Sequence, residues 1–217
     1  MNTSASLRIN EIFFSLQGES STVGLPTTFV RLTGCPLRCG YCDTEYAFHD
    51  GKMMPLNDIL ARVTGTGARY ITVTGGEPLA QPGCLVLLQE LCNQGFKVSL
   101  ETSGAMDITH VDPRVVVVMD LKTPGSGECA RNLETNIGRL KSVDEVKFVI
   151  CDRRDYEWAK AKIDQYALTD RVREILVSPA FEQVAYRDLA GWVLEDRLPV
   201  RMQVQLHKII WGDAPGH

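Results

Sequence analysis

The sequence predicts an α/β fold, a partial or distorted (β/α) barrel of about six to seven mostly parallel strands. Two observations lead there. Runs rich in β-branched residues recur along the chain with amphipathic helical segments between them, the succession that builds parallel sheets through right-handed crossovers. The residues with unusual chemistry fall just after those runs, where βα folds gather their ligands. An open doubly wound sheet is the alternative architecture.

The strand-like runs are 27–34, 68–76, 96–104, 113–122, 144–150, 173–179 and 200–210. The Val- and Ile-rich ones read as near-continuously buried strands, as a parallel sheet requires. Helical segments lie between them. At 55–63, Pro55 suits a first turn and Leu56, Ile59, Leu60 and Val63 form an apolar face. At 83–93, Cys84, Leu87, Leu88, Leu91 and Cys92 recur at helical spacing, and Gln94-Gly95 supplies the stop. At 153–167 the stripe is Ala159, Ile163, Tyr166 and Ala167; at 182–195 it is Ala185, Leu189, Trp192 and Val193. No Pro-rich or Gly/Ser-rich linker and no internal repeat divides the 217 residues, so one domain over 1–217 is expected.

Composition narrows the function. Hydrophobic residues make up 44% and charged residues 23%, the balance of a globular protein. No apolar run reaches the ~20 residues of a membrane helix. The first residues lack a basic region followed by an apolar one, so a cytoplasmic protein without a secretory signal is expected. The net charge of −4 comes from interspersed residues with no Lys/Arg stripe, which argues against nucleic acid as a partner. Seven cysteines in a reducing compartment argue against a disulfide framework. Cys84 and Cys92 lie on a helix stripe and read as core residues. Cys129 and Cys151 carry no pattern.

Several short segments stand at the carboxyl ends of the strand runs. They are Gly75-Gly76-Glu77-Pro78, Glu101-Thr102-Ser103-Gly104, Asp120-Leu121-Lys122, Ser178-Pro179 and His207-Lys208. The first run is followed by Cys35-Pro36-Leu37-Arg38-Cys39-Gly40-Tyr41-Cys42. Three thiolates at C-x3-C-x2-C can hold three irons of a [4Fe–4S] cluster and leave the fourth open to a non-protein ligand. Zinc is the competing reading, with His49 as a fourth ligand.

The cysteine loop, with Tyr41 before its last cysteine, resembles the radical S-adenosylmethionine (SAM) signature, and Gly75–Pro78 resembles that superfamily's second hallmark. The barrel is then expected to be of the radical SAM type. Finer likeness points to the 7-carboxy-7-deazaguanine synthase family. It is carried by Phe14-Ser15-Leu16-Gln17-Gly18-Glu19, by Thr28–Cys35 and by Cys42-Asp43-Thr44-Glu45-Tyr46-Ala47. It continues through Thr74–Pro78, Glu101–Gly104, Asp120–Lys122 and His207-Lys208.

This resemblance implies conversion of 6-carboxy-5,6,7,8-tetrahydropterin to 7-carboxy-7-deazaguanine and ammonia, a radical ring contraction in queuosine or deazapurine biosynthesis. It implies a [4Fe–4S] cluster on Cys35, Cys39 and Cys42, reductive cleavage of SAM, and hydrogen abstraction from C6 of the substrate by the 5′-deoxyadenosyl radical. The segment 8–34 would bind substrate and the loop 35–44 the cluster. Tyr41, Cys42, Asp43, Gly76, Glu77, Asp120, Leu121, Lys122 and Ser178 would bind SAM, with the Glu77 carboxylate and the neighbouring backbone receiving its amino group. Leu16, Gln17, Gly18, Glu19, Arg31, Thr74 and His207 would bind substrate. Thr44 would ligate Mg2+, which keeps few protein ligands. An external one-electron donor of flavodoxin or ferredoxin type and a homodimer are also implied.

The chemistry of the residues suits these roles. Gln17 and Glu19 can pair with the polar edge of a pterin, and Arg31 offers a planar fork for a carboxylate. Alone, each has a plainer reading: Gln17 and Glu19 a polar turn, His207 a structural histidine, Lys122 a solvated side chain. Arg31 is harder to dismiss, because a cation in an apolar strand needs a partner. Two further functions compete. One is a radical SAM activase that makes a glycyl radical on a partner protein. The other is a zinc-stabilised binding module without catalysis. The tail from Ile209 to His217 departs from members whose C-terminus helps close the substrate pocket.

Overall fold

The computed structural model describes residues 5–212, 214 and 216. Among the described residues, nine strands form one sheet in the order β3-β1-β2-β4-β5-β6-β7-β8-β9. The parallel part comprises β2 (Pro26–Leu32), β4 (Tyr70–Gly75), β5 (Lys97–Thr102), β6 (Val116–Asp120), β7 (Glu145–Ile150), β8 (Glu174–Pro179) and β9 (Arg201–Met202). Two strands were not foreseen: β1 (Ser6–Leu16) and β3 (Lys52–Pro55), which pair antiparallel at one edge. The edges β3 and β9 do not pair with each other, so the barrel is partial.

The strands are two-faced rather than uniformly apolar. Val30, Leu32, Ile71, Val73, Val98, Leu100, Val117, Met119, Val146, Phe148, Ile175 and Val177 point to the helices and are buried. The alternating positions Phe29, Arg31, Thr74, Glu101, Val118, Asp120, Lys147, Val149 and Ser178 line a cavity on the opposite face. The period of two along each strand creates this division. β1 obeys it through a bulge: the register shifts between Ile9 and Glu11. Leu7, Ile9 and Ile12 therefore join the helix-side core, while Phe13 faces the cavity.

The helices cover the outer face. α1 (Leu56–Gly65) buries Leu56, Ile59, Leu60 and Val63, with Pro55 as the residue before the helix rather than in its first turn. α2 (Gly83–Asn93) buries all five foreseen positions, Cys84 and Cys92 included, and the chain leaves it through Gly95 at φ +86°. α3 (Arg153–Gln165) is capped by the Asp152 carboxylate, which accepts from the Asp155 N–H. It ends earlier than the stripe suggested: Ala167 is left-handed at φ 47° and exposed, and a separate turn, α4 (Leu168–Arg171), follows. α3 buries Ala159 and Ile163 as expected, together with Tyr156 and Asp155. α5 (Tyr186–Glu195) starts after 182–185, with Ala185 exposed at its cap and Leu189 as its buried anchor.

The expected last strand over 200–210 is corrected. Only Arg201 and Met202 pair with β8, and Leu206–Trp211 form a short helix, α6. The segment leaves the sheet edge because another partner is at hand. The β1–β2 connection swings across the cavity mouth: Leu206 N–H donates to Gly18 O (3.1 Å), and Gln203 exchanges two bonds with the Ser20 backbone (3.0 and 2.6 Å). His207 therefore sits on a helix rather than at a strand end. Of the tail, Asp213, Pro215 and His217 lie outside the described residues.

Candidate active site

The carboxyl ends of β2, β4, β5, β6, β7 and β8 and the β1–β2 connection enclose a cavity of about 1430 Å³, open mouth included. Its floor is the cysteine loop. β2 runs into Gly34 at φ +99°, a left-handed conformation that turns the chain into the loop. Leu37 is buried and anchors the loop, and the Arg38 guanidinium lies over the Phe48 ring at 4.3 Å while bonding the carbonyl of Cys35 (2.8 Å). Cys35, Cys39 and Cys42 are free thiols that all line the cavity. Burial pushes each thiol up, against the pull of the Lys122 ammonium, so any metal that these thiols took would have to displace their protons. His49, the fourth ligand that a zinc site needs, is exposed, stands edge-on to Phe48 and does not line the cavity.

The turn after β4 fits against this loop. Gly76 N–H donates to Leu32 O (3.2 Å) and Glu77 N–H to Gly34 O (2.8 Å). A Cβ at Gly76 would lie 2.5 Å from Gly34 O and 2.7 Å from Cys35 Cβ, so only glycine permits the approach. Glu77 departs from expectation. Its carboxylate is fully buried and accepts from Leu79 N–H, Thr102 Oγ1 and both the N–H and the hydroxyl of Ser103. It ties β4 to β5 behind the cavity wall instead of facing it. Leu121 likewise puts its side chain into the core.

On the β6 side, Lys122 pairs with Asp120 (2.9 Å) and approaches the Tyr41 ring (5.4 Å). Burial, with Asp120 second, pushes the Tyr41 phenol far up and keeps it neutral. Burial disfavours the Lys122 ammonium, but Asp120 foremost outweighs it and holds the amine protonated. Three buried oxygens here have no partner among the described residues: Asp120 Oδ1, Tyr41 OH and Ser178 Oγ. All three residues line the cavity. Buried polar atoms left open in this way lack a partner that a polar molecule in the cavity could supply.

A further wall comes from β1 and β2. Gln17 is buried and its amide is largely engaged: Nε2 donates to Thr72 Oγ1 (3.1 Å) and Glu101 Oε1 (3.3 Å), and Oε1 accepts from Glu19 N–H (3.2 Å). One lone pair of that oxygen remains for a ligand. Arg31 finds its expected partner in Glu11 (Nε–Oε1 2.7 Å), whose carboxylate also accepts from Tyr46 OH (2.9 Å). Among the described residues, no protein acceptor takes the two terminal NH2 groups of Arg31, which keeps its fork open. His207 packs against Gly18, where any side chain would collide with the imidazole. Thr74 donates to Glu101 Oε2 (2.9 Å). At the rim, Thr44 Oγ1 donates to Asp43 Oδ1 (2.6 Å). Burial pushes Asp43 up, but the Thr44 bond, Lys147, Lys208 and His207 outweigh it and hold the carboxyl below its ordinary range. Leu16 and Glu19 also line the cavity.

Several lining residues were given no site role from sequence, Glu101 among them although its segment was noted. Phe13 and Phe29 stack with centroids 4.8 Å apart and rings inclined by 9°, forming a flat apolar patch. Glu101 connects Gln17 with Thr74. Gln205 Nε2 donates to Glu19 Oε1 (3.0 Å) and Asp43 Oδ2 (3.2 Å). Lys147 pairs with Glu19 (2.7 Å). The only sequence signal for Lys147 was a charge inside the apolar run EVKFVI.

A model of the radical SAM superfamily matches residues 29–116. Among curated relatives, the chain is 46% identical to the 7-carboxy-7-deazaguanine synthase of Chlorobaculum tepidum, with 100% of both chains covered. It is 43% identical to that of Koribacter versatilis, over 94% of this chain and 97% of the relative. The crystal structure of QueE from Escherichia coli superposes with a TM-score of 0.75 at 27% identity, covering 93% of this chain and 95% of that one. Streptococcus suis SuiB bound to a precursor peptide shares the fold alone, with a TM-score of 0.60 at 14% identity over 79% of this chain and 46% of that one.

Proposed function

The chain belongs to the 7-carboxy-7-deazaguanine synthase family of radical SAM lyases, and from that premise we propose how its cavity divides the conversion of 6-carboxy-5,6,7,8-tetrahydropterin to 7-carboxy-7-deazaguanine and ammonia. The observation that carries the proposal is the convergence of two sets of groups on one cavity. Three free thiols and three unpartnered oxygens line it together with an open guanidinium fork and a carboxylate.

The family implies a [4Fe–4S] cluster and SAM, and the first set suits both. Cys35, Cys39 and Cys42 would hold the cluster. The Gly76 backbone, Asp43, Lys122 and the open oxygens of Tyr41, Asp120 and Ser178 would receive SAM. Bound there, cluster and SAM supply the radical chemistry that starts ring contraction. The chain supplies position and excludes water.

The pterin would lie over the Phe13–Phe29 patch with its carboxylate in the Arg31 fork. Glu19 would accept from the donor edge of the ring. Gln17, engaged as it is, would serve chiefly to hold Glu19 and Glu101 in place. Thr74 and His207 would flank the ring. Thr44, beside Asp43, offers a hard oxygen for Mg2+, with substrate and water completing the shell.

The one-electron donor would be a flavodoxin or ferredoxin. No helix of the described residues is long and apolar enough to cross a membrane, in keeping with work in the cytoplasm. A homodimer would cover Phe14, Val23 and Leu25, apolar side chains exposed along β1 and its connection to β2.

The deciding experiment is product identity. Anaerobically reconstituted protein with SAM, Mg2+, reductant and the carboxytetrahydropterin should release 7-carboxy-7-deazaguanine. SAM cleavage without that product would sink the assignment.

A further inference from the structure

β7 carries three inward positions, Glu145, Lys147 and Val149. Glu145 is held by the backbone and hydroxyl of Ser21, and Val149 is an apolar part of the wall. Lys147 reaches both sets of groups. Its Nζ is 2.7 Å from Glu19 Oε2 on the β1–β2 connection and 3.7 Å from Asp120 Oδ2 on β6, and its side chain is 15% exposed. We propose that Lys147 is a positioning residue: it holds the Glu19 carboxylate aimed at the substrate and ties the β1–β2 connection to β6 across the cavity. The proposal deepens the pterin reading and rests on it.

The charges around Lys147 explain why a cation is needed there. Glu19, Asp120 and Glu101 face it from three different elements, with Asp43 and the Tyr41 phenol farther out. The other cations are committed: Lys122 to Asp120 and Arg31 to Glu11. Burial opposes a charged amine at Lys147, but Glu19 first, then Asp120 and Glu101, outweigh it and hold the amine protonated.

Without Lys147, Glu19 keeps only the Gln205 amide as a donor and stands near a second carboxylate. Repulsion from Asp120 then pushes the Glu19 carboxylate off its aim at the substrate's donor edge, so loss of Lys147 should weaken substrate binding.

The test uses full-length, cluster-reconstituted protein as wild type, Lys147→Gln, Lys147→Arg and Glu19→Gln. Binding of the carboxytetrahydropterin is measured by calorimetry with SAM and no reductant, and kcat and KM are measured in parallel. Lys147→Gln should bind about tenfold more weakly, the loss appearing mainly in KM with kcat nearly kept. Lys147→Arg should regain most of the affinity. Glu19→Gln should also bind weakly, and this holds whether or not Lys147→Gln folds. No loss in Lys147→Gln, no recovery in Lys147→Arg, or wild-type binding by Glu19→Gln would each overturn the proposal. A wild type that neither binds nor converts the pterin overturns the functional reading itself.

Discussion

Replacing Gly76 with alanine probes the contact on which the cysteine loop, the proposed cluster site, rests. The added Cβ would lie 2.5 Å from Gly34 O and 2.7 Å from Cys35 Cβ. Ordinary carbon contacts are about 3.5–4.0 Å, so one side must retreat by roughly 1 Å. Neither neighbour is the end of a flexible side chain. Gly34 is fixed by its N–H to Ala47 O (2.8 Å) and by accepting from Glu77 N–H (2.8 Å), and Cys35 begins the cluster loop. Overpacking of this kind costs about 1–3 kcal/mol. Losing the Glu77–Gly34 bond adds about 1 kcal/mol. The sum, ~2–4 kcal/mol, lowers Tm by ~4–16 °C for a chain of this size.

The distinctive outcome lies in the cluster. A displaced Cys35 should lower iron content and visible absorbance after reconstitution by more than the fraction unfolded. Gly138→Ala, where a Cβ meets nothing within 4 Å, is the control and should change neither quantity. Full iron loading with an unchanged Tm in Gly76→Ala would refute the claim that this close approach shapes the loop.

Three further outcomes are expected. Cys35→Ala, Cys39→Ala and Cys42→Ala should each abolish the brown colour of anaerobically reconstituted protein, whereas Cys84→Ala should keep it, because Cys84 is buried in α2 away from the cavity; absorbance and iron analysis decide. Arg31→Ala should raise KM for the carboxytetrahydropterin about 30-fold or more, as for loss of one member of a buried charge pair. Arg31→Lys should fall between, since it keeps charge but loses the fork; an unchanged KM in Arg31→Ala would remove its carboxylate role. Hydrogen bonds from Arg114 hold Asp112 at about 2, below the ordinary carboxylate value. A depressed folded pKa stabilises above the unfolded pKa and is lost as pH falls from ~4 towards ~2. Solvent screening limits it to no more than about 1 kcal/mol. Urea unfolding at pH 5 and pH 3 should show the gap between wild type and Arg114→Ala narrowing at the lower pH.

Local patterns carried much of the fold. The stripes of α1 and α2 are helical-period apolar repeats, and the structure buries every position of both. β1 escaped notice because Arg8, Asn10 and Glu11 interrupt its apolar residues and a bulge changes which face they occupy. The run 200–210 alternates like a strand, yet it leaves the sheet after Met202 because the Gly18 and Ser20 backbone offers it other hydrogen bonds.

What the sequence determined by itself is what neighbours along the chain determine. Three cysteines within one loop, a Gly-Gly turn and the strand–helix rhythm are local, and local spacing is sufficient to specify them. The tertiary structure decided the rest. It turned Glu77 away from the cavity to hold Thr102 and Ser103, stacked Phe13 on Phe29, moved His207 onto a helix, and set Lys147 against Glu19 across 128 residues of chain. Such contacts leave no periodic trace, because they exist only once the sheet has curled and the β1–β2 connection has crossed its mouth.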